Sequence, residues 1–388
     1  MAEISAPKVA AREAIDADLT ELVRLSHTIH DHPETAFEED QACAWTAGLL
    51  AAGGYVVTTG TSGMPTAFSA EIGSGPLVVA ICAEYDALPG VGHACGHNII
   101  AASAVGAGLG LARVADDLGL TVRVLGTPAE EGGGGKVTML DDGVFDDVHA
   151  AMMIHPWPNE WLHGTCLAVS HFDITFEGKS AHASAAPWEG INAGDAMTIA
   201  QVGLGLLRQQ LRRGDQVHGI VTDGGEAANI IPASVTGRFM CRSTSLNGLE
   251  RLEPRVMACF EAGALASGSS LARHDLAPVY SHMESDTDLL ALYRVNAEAL
   301  GRTFSLDDEQ APRPTFSTDM ANVSLALPTI HPLVAIDAAG SVNHQPAFAA
   351  ACITPSADTA VRDGALSMAW TAIDAAQPGP LRDRLLSR

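Results

Sequence analysis

Between Leu77 and Ile154 the chain alternates short apolar runs with longer segments. The runs at 77–82, 121–126 and 150–154 read as buried strands, and the segment 98–115, rich in Ala, Gly and Leu, reads as a close-packed helix. Ahead of them, 8–30 reads as an amphipathic helix. Leu19, Leu22, Val23 and His27 share a face there, and Pro33 stops it. Strands alternating with helices confine this part of the chain to an α/β layer sandwich.

The texture changes near residue 166. Polar and apolar residues partly alternate from Ala168 to Phe176, as in a half-exposed strand. A helical stretch at 191–212, strand-like runs at 217–222 and 234–241 and a second helical stretch at 247–265 complete a small α+β pattern with an antiparallel sheet. The α/β texture returns after about 280, with a helix at 285–300, a strand at 332–337 and a helix at 357–375. At 388 residues the chain is long for a single core. The expected organisation is a catalytic metal-binding α/β domain made of 1–165 and 280–388, interrupted by an inserted α+β satellite domain, 166–279. There is no internal repeat, and the one low-complexity tract is the glycine run 132–135.

A formal net charge of −24 argues against nucleic acid and against anionic membranes as partners. The seven cysteines are odd in number and widely spaced, which suits reduced thiols better than a disulfide framework. No apolar run is long enough to span a bilayer, and the first residues lack the pattern of a signal peptide. The cytoplasm is the expected location.

The chemistry concentrates in His93-Ala-Cys-Gly-His97. A thiolate at Cys95 and an imidazole at His97 can hold borderline divalent ions. Glu130-Glu131 follow the second strand and the turn Thr127-Pro128-Ala129. Adjacent residues at a strand end point in different directions, so one carboxylate can bind a metal while the other faces a water on it. His155 ends the third apolar run, and His344 follows the strand expected at 332–337. Each of these residues alone is as easily structural. Together they place ligand-type side chains at several strand ends, where open α/β sheets form their sites. The donor set favours zinc, manganese, cobalt or nickel over magnesium or calcium. Asp86 is a candidate carboxylate for orienting a ligating imidazole and equally a turn residue before Leu88-Pro89.

The run Gly132-Gly133-Gly134-Gly135-Lys136 is not a phosphate loop. That motif needs Gly where the chain has Glu130, and Ser or Thr where it has Val137. Backbone passing close to a crowded site explains the glycines better. In the satellite segment, His182 stands among small residues and could stabilise an oxyanion. Asn229 and Arg242 lie beside a strand and could grip a carboxylate.

In combination and order, these residues resemble the aminoacylase/carboxypeptidase family of dinuclear metallopeptidases. The nearest branch is that of aminobenzoyl-glutamate hydrolase, indole-acetyl amino acid hydrolases and a β-alanyl-lysine-type dipeptidase. The resemblance runs through His30-x-His32-Pro33-Glu34, Asp86-Ala87-Leu88-Pro89, His93–His97, Pro128–Glu131 and His155. It continues through Gly178–Pro187, Asn229–Pro232, Ser317-Thr318-Asp319-Met320 and His344. It implies Cys95, His97, Glu131, His155 and His344 as ligands of two divalent ions, zinc foremost. It implies Glu130 as general base, Asp86 as an orienting residue, His182 as an oxyanion or substrate contact reaching across a homodimer, and Asn229 and Arg242 on the substrate side. The satellite domain would then be the dimerisation module. Two positions depart from the branch: Asn98 and Ile100 stand where Asp and His are usual, and Glu84 where His or Asp is.

The expected activity is hydrolysis of the amide of an N-acyl amino acid or dipeptide-like compound. Dipeptidase or carboxypeptidase action on the same site, a non-catalytic binding protein keeping the fold, and a cysteine hydrolase using Cys95 are the alternatives.

Overall fold

The computed structural model describes residues 4–308 and 312–388. They form two compact units. One reaches Thr165 and resumes at Met283; the other is Cys166–His282.

The first unit is built on a six-stranded sheet in the order Val56–Thr59, Phe68–Gly73, Leu120–Gly126, Leu77–Ala83, Ala150–Met152, Thr329–Ile330. The last four strands run parallel. The first two are antiparallel to their neighbours. Every residue of Leu77–Ala83 is buried, because both faces of the sheet carry a core. Val79 and Ile81 face a cluster formed with the helices Ala6–Asp31, His97–Ala112 and Pro355–Ala375. Val78, Ala80 and Cys82 face Met139, Phe145, Met320 and Val323. A parallel strand covered on both sides is therefore apolar without alternation. The helix His97–Ala112 is buried along nearly its whole length. Its small residues are required: a Cβ on Gly110 would stand 2.8 Å from Ile15 Cδ1.

The parallel arrangement brings four strand ends to one edge of the sheet. Glu84 and Asp86 follow Ala83, Glu130 and Glu131 follow Gly126, His155 follows Met152, and His331 follows Ile330. The strand expected at 332–337 is two short strands, Thr329–Ile330 and Leu333–Ala335. Pro332 between them has no N–H for the ladder. The second pairs with His155–Trp157. His344 therefore does not end a strand; it lies in the loop before the helix Pro346–Ala351, with a positive φ of 69°. The strands Val56–Thr59 and Phe68–Gly73 and the helix Asp40–Ala52 were not expected from the sequence.

The second unit is a four-stranded antiparallel sheet in the order Ser270–Asp275, Ala168–Glu177, Ser234–Ser243, Gln216–Asp223. The helices Ala193–Leu207 and Leu246–Ser267 pack against it, around Phe172, Phe239 and Phe260. Asn192 caps the first helix, its side chain accepting from the N–H groups of Gly194 and Asp195. Ser270–Asp275 adds an edge strand that the sequence pattern did not signal. No helix among the described residues is long and apolar enough to cross a membrane.

Candidate metal centre

The loop after Leu77–Ala83 runs through Glu84 and Asp86 and returns at Cys95. Gly96, at φ 81°, then turns the chain into the helix His97–Ala112, so His97 begins that helix. Asp86 is buried and bridges two of the candidate ligands. One oxygen lies 2.9 Å from His97 Nδ1; the other accepts the backbone N–H of Glu131 at 2.9 Å. Both of its side-chain oxygens are thus engaged by residues outside the Leu88-Pro89 turn. With Nδ1 committed to Asp86, His97 presents Nε2 to the site.

Two triads form around one sulfur. Single ligand atoms of Cys95, His97 and His155 lie within 4.8 Å of one another, and so do those of Cys95, Glu131 and His344. Cys95 Sγ is 3.4 Å from His155 Nε2, and His344 Nε2 is 3.6 Å from Glu131 Oε1. A tetrahedral ion with bonds of about 2.0–2.3 Å holds its ligands roughly 3.3–3.8 Å apart, so these spacings fit. The buried atoms His97 Nε2 and Glu131 Oε1 have no hydrogen-bond partner, as expected of atoms reserved for a cation. His155 Nδ1 lies 2.8 Å from the carbonyl oxygen of Pro156, which leaves Nε2 for the site.

The electrostatics agree with a cation site. Burial pushes the Cys95 thiol well up, and Glu131 adds to this, so a thiolate there needs a positive partner. Burial, with His331 and His97 nearby, holds His155 well below the usual imidazole range and therefore neutral. Glu130 is pushed well above the usual carboxylate range by burial, then by Glu84 and Glu131. Its Oε2 lies 3.9 Å from His97 Nε2. For Asp86, burial is outweighed by His97, which holds the carboxyl below its usual range.

The glycine run explains itself here. The N–H groups of Gly133 and Gly134 both donate to the carbonyl of Ala129 at 2.8 Å. A Cβ on Gly135 would stand 2.2 Å from the Pro128 carbonyl oxygen, and one on Gly133 2.3 Å from Phe37 Cε2. The run folds back over the turn that carries Glu130 and Glu131. Ala129 in that turn has φ 60°, and its N–H donates to Glu39 at 2.9 Å.

Asn98 does not face the ligands. Its amide donates to Ser26 Oγ at 2.8 Å and to the Cys352 carbonyl at 3.0 Å. It is a packing residue at the helix start. Four buried residues near the site were not singled out as site residues from the sequence: Glu39, Lys136, Asp319 and His331. Lys136 was set aside with the rejected phosphate loop, and Asp319 figured only within a longer motif. His331 was hidden by the misplaced strand. Its ring is buried 5.6 Å from that of His155, and its nitrogens have no hydrogen-bond partner. The rule of strand ends would have found it.

In the second unit, His182 and Asn229 are neighbours. The N–H of Ala183 donates to the Asn229 carbonyl at 3.0 Å, and His182 bridges to Ile230. The His182 ring is exposed, with Nδ1 accepting from the N–H of Ala185 at 3.2 Å. Arg242 is not with them. It sits near the far end of Ser234–Ser243, roughly 25 Å along the strand at about 3.3 Å per residue. There it is half-buried near His171 and His218.

A family model described as peptidase family M20/M25/M40 matches residues 80–362. The Xaa-Arg dipeptidase of Mus musculus is 36% identical, the match covering 96% of this chain and 90% of that protein. One of the subunits of the p-aminobenzoyl-glutamate hydrolase of Escherichia coli (strain K12) is 33% identical, over 67% of this chain and 58% of that protein. Among solved structures, the aminobenzoyl-glutamate utilization protein of Klebsiella pneumoniae has the same fold, with a TM-score of 0.76 at 18% identity, covering 95% of this chain and 99% of that one. A Bacillus subtilis protein described as a dinuclear metal binding peptidase superposes with a TM-score of 0.67 at 21% identity, covering 92% and 99%.

Proposed function

The chain belongs to peptidase family M20/M25/M40, metal-dependent hydrolases of amide bonds, and on that premise we propose that it is a two-ion amidohydrolase releasing an amino acid from a dipeptide or N-acyl amino acid. The observation that carries the two-ion reading is the sharing of Cys95 between two ligand triads. One ion would be held by Cys95, His97 and His155, the other by Cys95, Glu131 and His344. Zinc, manganese, cobalt and nickel all suit this donor set, zinc foremost.

When bound, such ions polarise the scissile carbonyl and acidify water. The protein's own residues do the rest. Glu130, held beside His97 but outside both triads, takes the proton from water and returns it to the leaving amine. Asp86 keeps His97 in the tautomer that offers Nε2, and it fixes the backbone of Glu131 at the same time. His182 is assigned as oxyanion or substrate donor and Asn229 as a carboxylate contact; Arg242, at the far end of its strand, is not assigned to that carboxylate.

A homodimer belongs to the same proposal, through Cys166–His282. Ile199, Val202 and Leu206 lie exposed on one face of the helix Ala193–Leu207. The neighbouring edge strand Gln216–Asp223 exposes Ile220 and Val221. An open edge beside an apolar helix face is a surface that sheet proteins normally cover. The cytoplasm suits seven cysteines of which none is in a disulfide.

The dipeptide arm draws on the Xaa-Arg dipeptidase of Mus musculus, a relative matched over most of both chains. The test is hydrolysis of a panel of dipeptides, including Xaa-Arg and Xaa-Lys, and of N-acyl amino acids, with and without chelator. Chelator-sensitive release of an amino acid, restored by zinc or manganese, supports the proposal. Chelator-indifferent hydrolysis abolished by thiol alkylation would instead favour a cysteine hydrolase. A metal-free protein in which added zinc or manganese restores no hydrolysis would favour a binding protein; bound metal without turnover would mean that the panel missed the substrate.

A further inference from the structure

Lys136 is completely buried and held at both ends. Its Nζ lies 2.5 Å from Glu84 Oε1 and 2.7 Å from Asp319 Oδ1. Its backbone N–H donates to the other oxygen of Asp319 at 2.9 Å. One carboxylate thus grips both the main chain and the side chain of Lys136. The three residues come from separate segments: the end of Leu77–Ala83, the start of Gly135–Asp141 and the residue before Met320–Ala326. The remaining oxygen of Glu84 has no hydrogen-bond partner and lies 3.5 Å from His97 Nε2.

Stability alone is a poor reason for such a cluster. Buried ion pairs can often be replaced by apolar residues at no net cost. Geometry is a better one. Glu130 and Glu131 sit between a strand and four consecutive glycines. Gly133 and Gly135 are needed for the close passage over Ala129 and Pro128, but four glycines together bring the loosest backbone available. Lys136 is the first side chain after that run, so its attachment decides where the run ends.

We propose that Lys136 is a positioning residue for the hydrolytic site, anchoring the glycine run through Glu84 and Asp319 so that the Glu130–Glu131 turn stays in register with His97. The proposal rests on the hydrolase reading above. Reacting groups displaced by about 1 Å can lose roughly 100-fold in rate, which sets the scale of the effect.

The test compares the wild type with two variants. The triple substitution Lys136→Met/Glu84→Gln/Asp319→Asn removes every buried charge of the cluster and its anchor. Glu84→Gln alone keeps an oxygen for Lys136 Nζ and leaves the Asp319 grip intact. Should the triple variant not fold, Lys136→Met/Asp319→Asn, in which Glu84 can take up a proton, carries the same comparison. Melting temperature, zinc affinity, kcat and KM are measured on each. At saturating zinc the anchorless variant should fold yet lose about 100-fold in kcat with KM nearly unchanged, while Glu84→Gln stays within about fivefold of wild type. Zinc affinity of the anchorless variant should fall about tenfold through the displaced Glu131. A folded anchorless variant with wild-type kcat overturns the proposal, as does a loss confined to KM. So does a loss in Glu84→Gln equal to that of the anchorless variant, which would assign Glu84 itself to the chemistry. A wild type without chelator-sensitive hydrolysis removes the hydrolase reading and this role with it.

Discussion

Cys95 Sγ lies 3.4 Å from His155 Nε2 although sixty positions separate the two residues. The sulfur belongs equally to the second triad, with Glu131 and His344. Cys95→Ser is therefore expected to weaken both ion sites together. Metal content should fall from two ions per chain toward none in a single concentration window, and turnover should fall by at least ~10³. Elemental analysis across a zinc titration checks this. Retention of one tightly held ion would show that the sulfur serves only one site.

Glu130→Gln keeps the shape of the turn and removes the base. Turnover should drop by about 10²–10⁴ while zinc binding stays at the wild-type level. Steady-state kinetics and metal content on the same preparation decide it. Wild-type turnover would remove Glu130 from the mechanism.

Gly135→Ala places a methyl 2.2 Å from the Pro128 carbonyl oxygen. Backbone must move to relieve that contact, at a cost of about 1–3 kcal/mol. The movement falls on the turn bearing Glu130 and Glu131, so kcat should drop along with the melting temperature. Gly132, where a Cβ meets nothing within 4 Å, is the control: Gly132→Ala should leave both nearly unchanged.

Glu39 is buried against the N–H of Ala129, and its carboxyl is pushed up to about 7 by burial, then by Asp86. Between the ordinary value of 4.5 and about 7, the folded state keeps a proton that the unfolded state has lost. Stability from this group is full below pH 4.5, declines as pH rises through the window and is flat above it. The amount is roughly 3 kcal/mol. Glu39→Gln keeps the acceptor for Ala129 and never ionises. It should melt above the wild type at pH 8, and the gap should shrink toward pH 5. An equal difference at both pH values would show that Glu39 does not titrate in this window.

Ile220→Lys sets a charge on the exposed edge strand Gln216–Asp223. If that edge and the helix Ala193–Leu207 form the dimer contact, the variant should sediment as a monomer with its fold intact. Wild type sedimenting as a monomer at micromolar concentration would remove the homodimer from the functional reading.

Legibility tracked burial. The runs 77–82 and 121–126 were readable because a parallel strand with a core on each face is apolar throughout. Val56–Thr59 and Ser270–Asp275 were not, because edge strands with exposed side chains carry no such pattern. Near the site, the residues proposed to act by their own chemistry were visible as residue types: Cys95, His97, Glu130, Glu131 and His155. Those that act by holding others were not. Lys136 reads in sequence as the tail of a failed motif, and only the fold brings Glu84 and Asp319 to it. Asp86 was undecided between a turn and an orienting role until the fold placed His97 and Glu131 against its two oxygens.

His344 reaches Glu131 from a loop that follows the whole of Cys166–His282 in the chain. On a ribosome it emerges last among the proposed ligands, after the satellite unit has been completed. A chain stopped before that loop lacks this imidazole and also Pro355–Ala375, the helix that completes the core behind His97–Ala112. The core of the first unit and the proposed ligand set are therefore completed by the same late stretch of the chain.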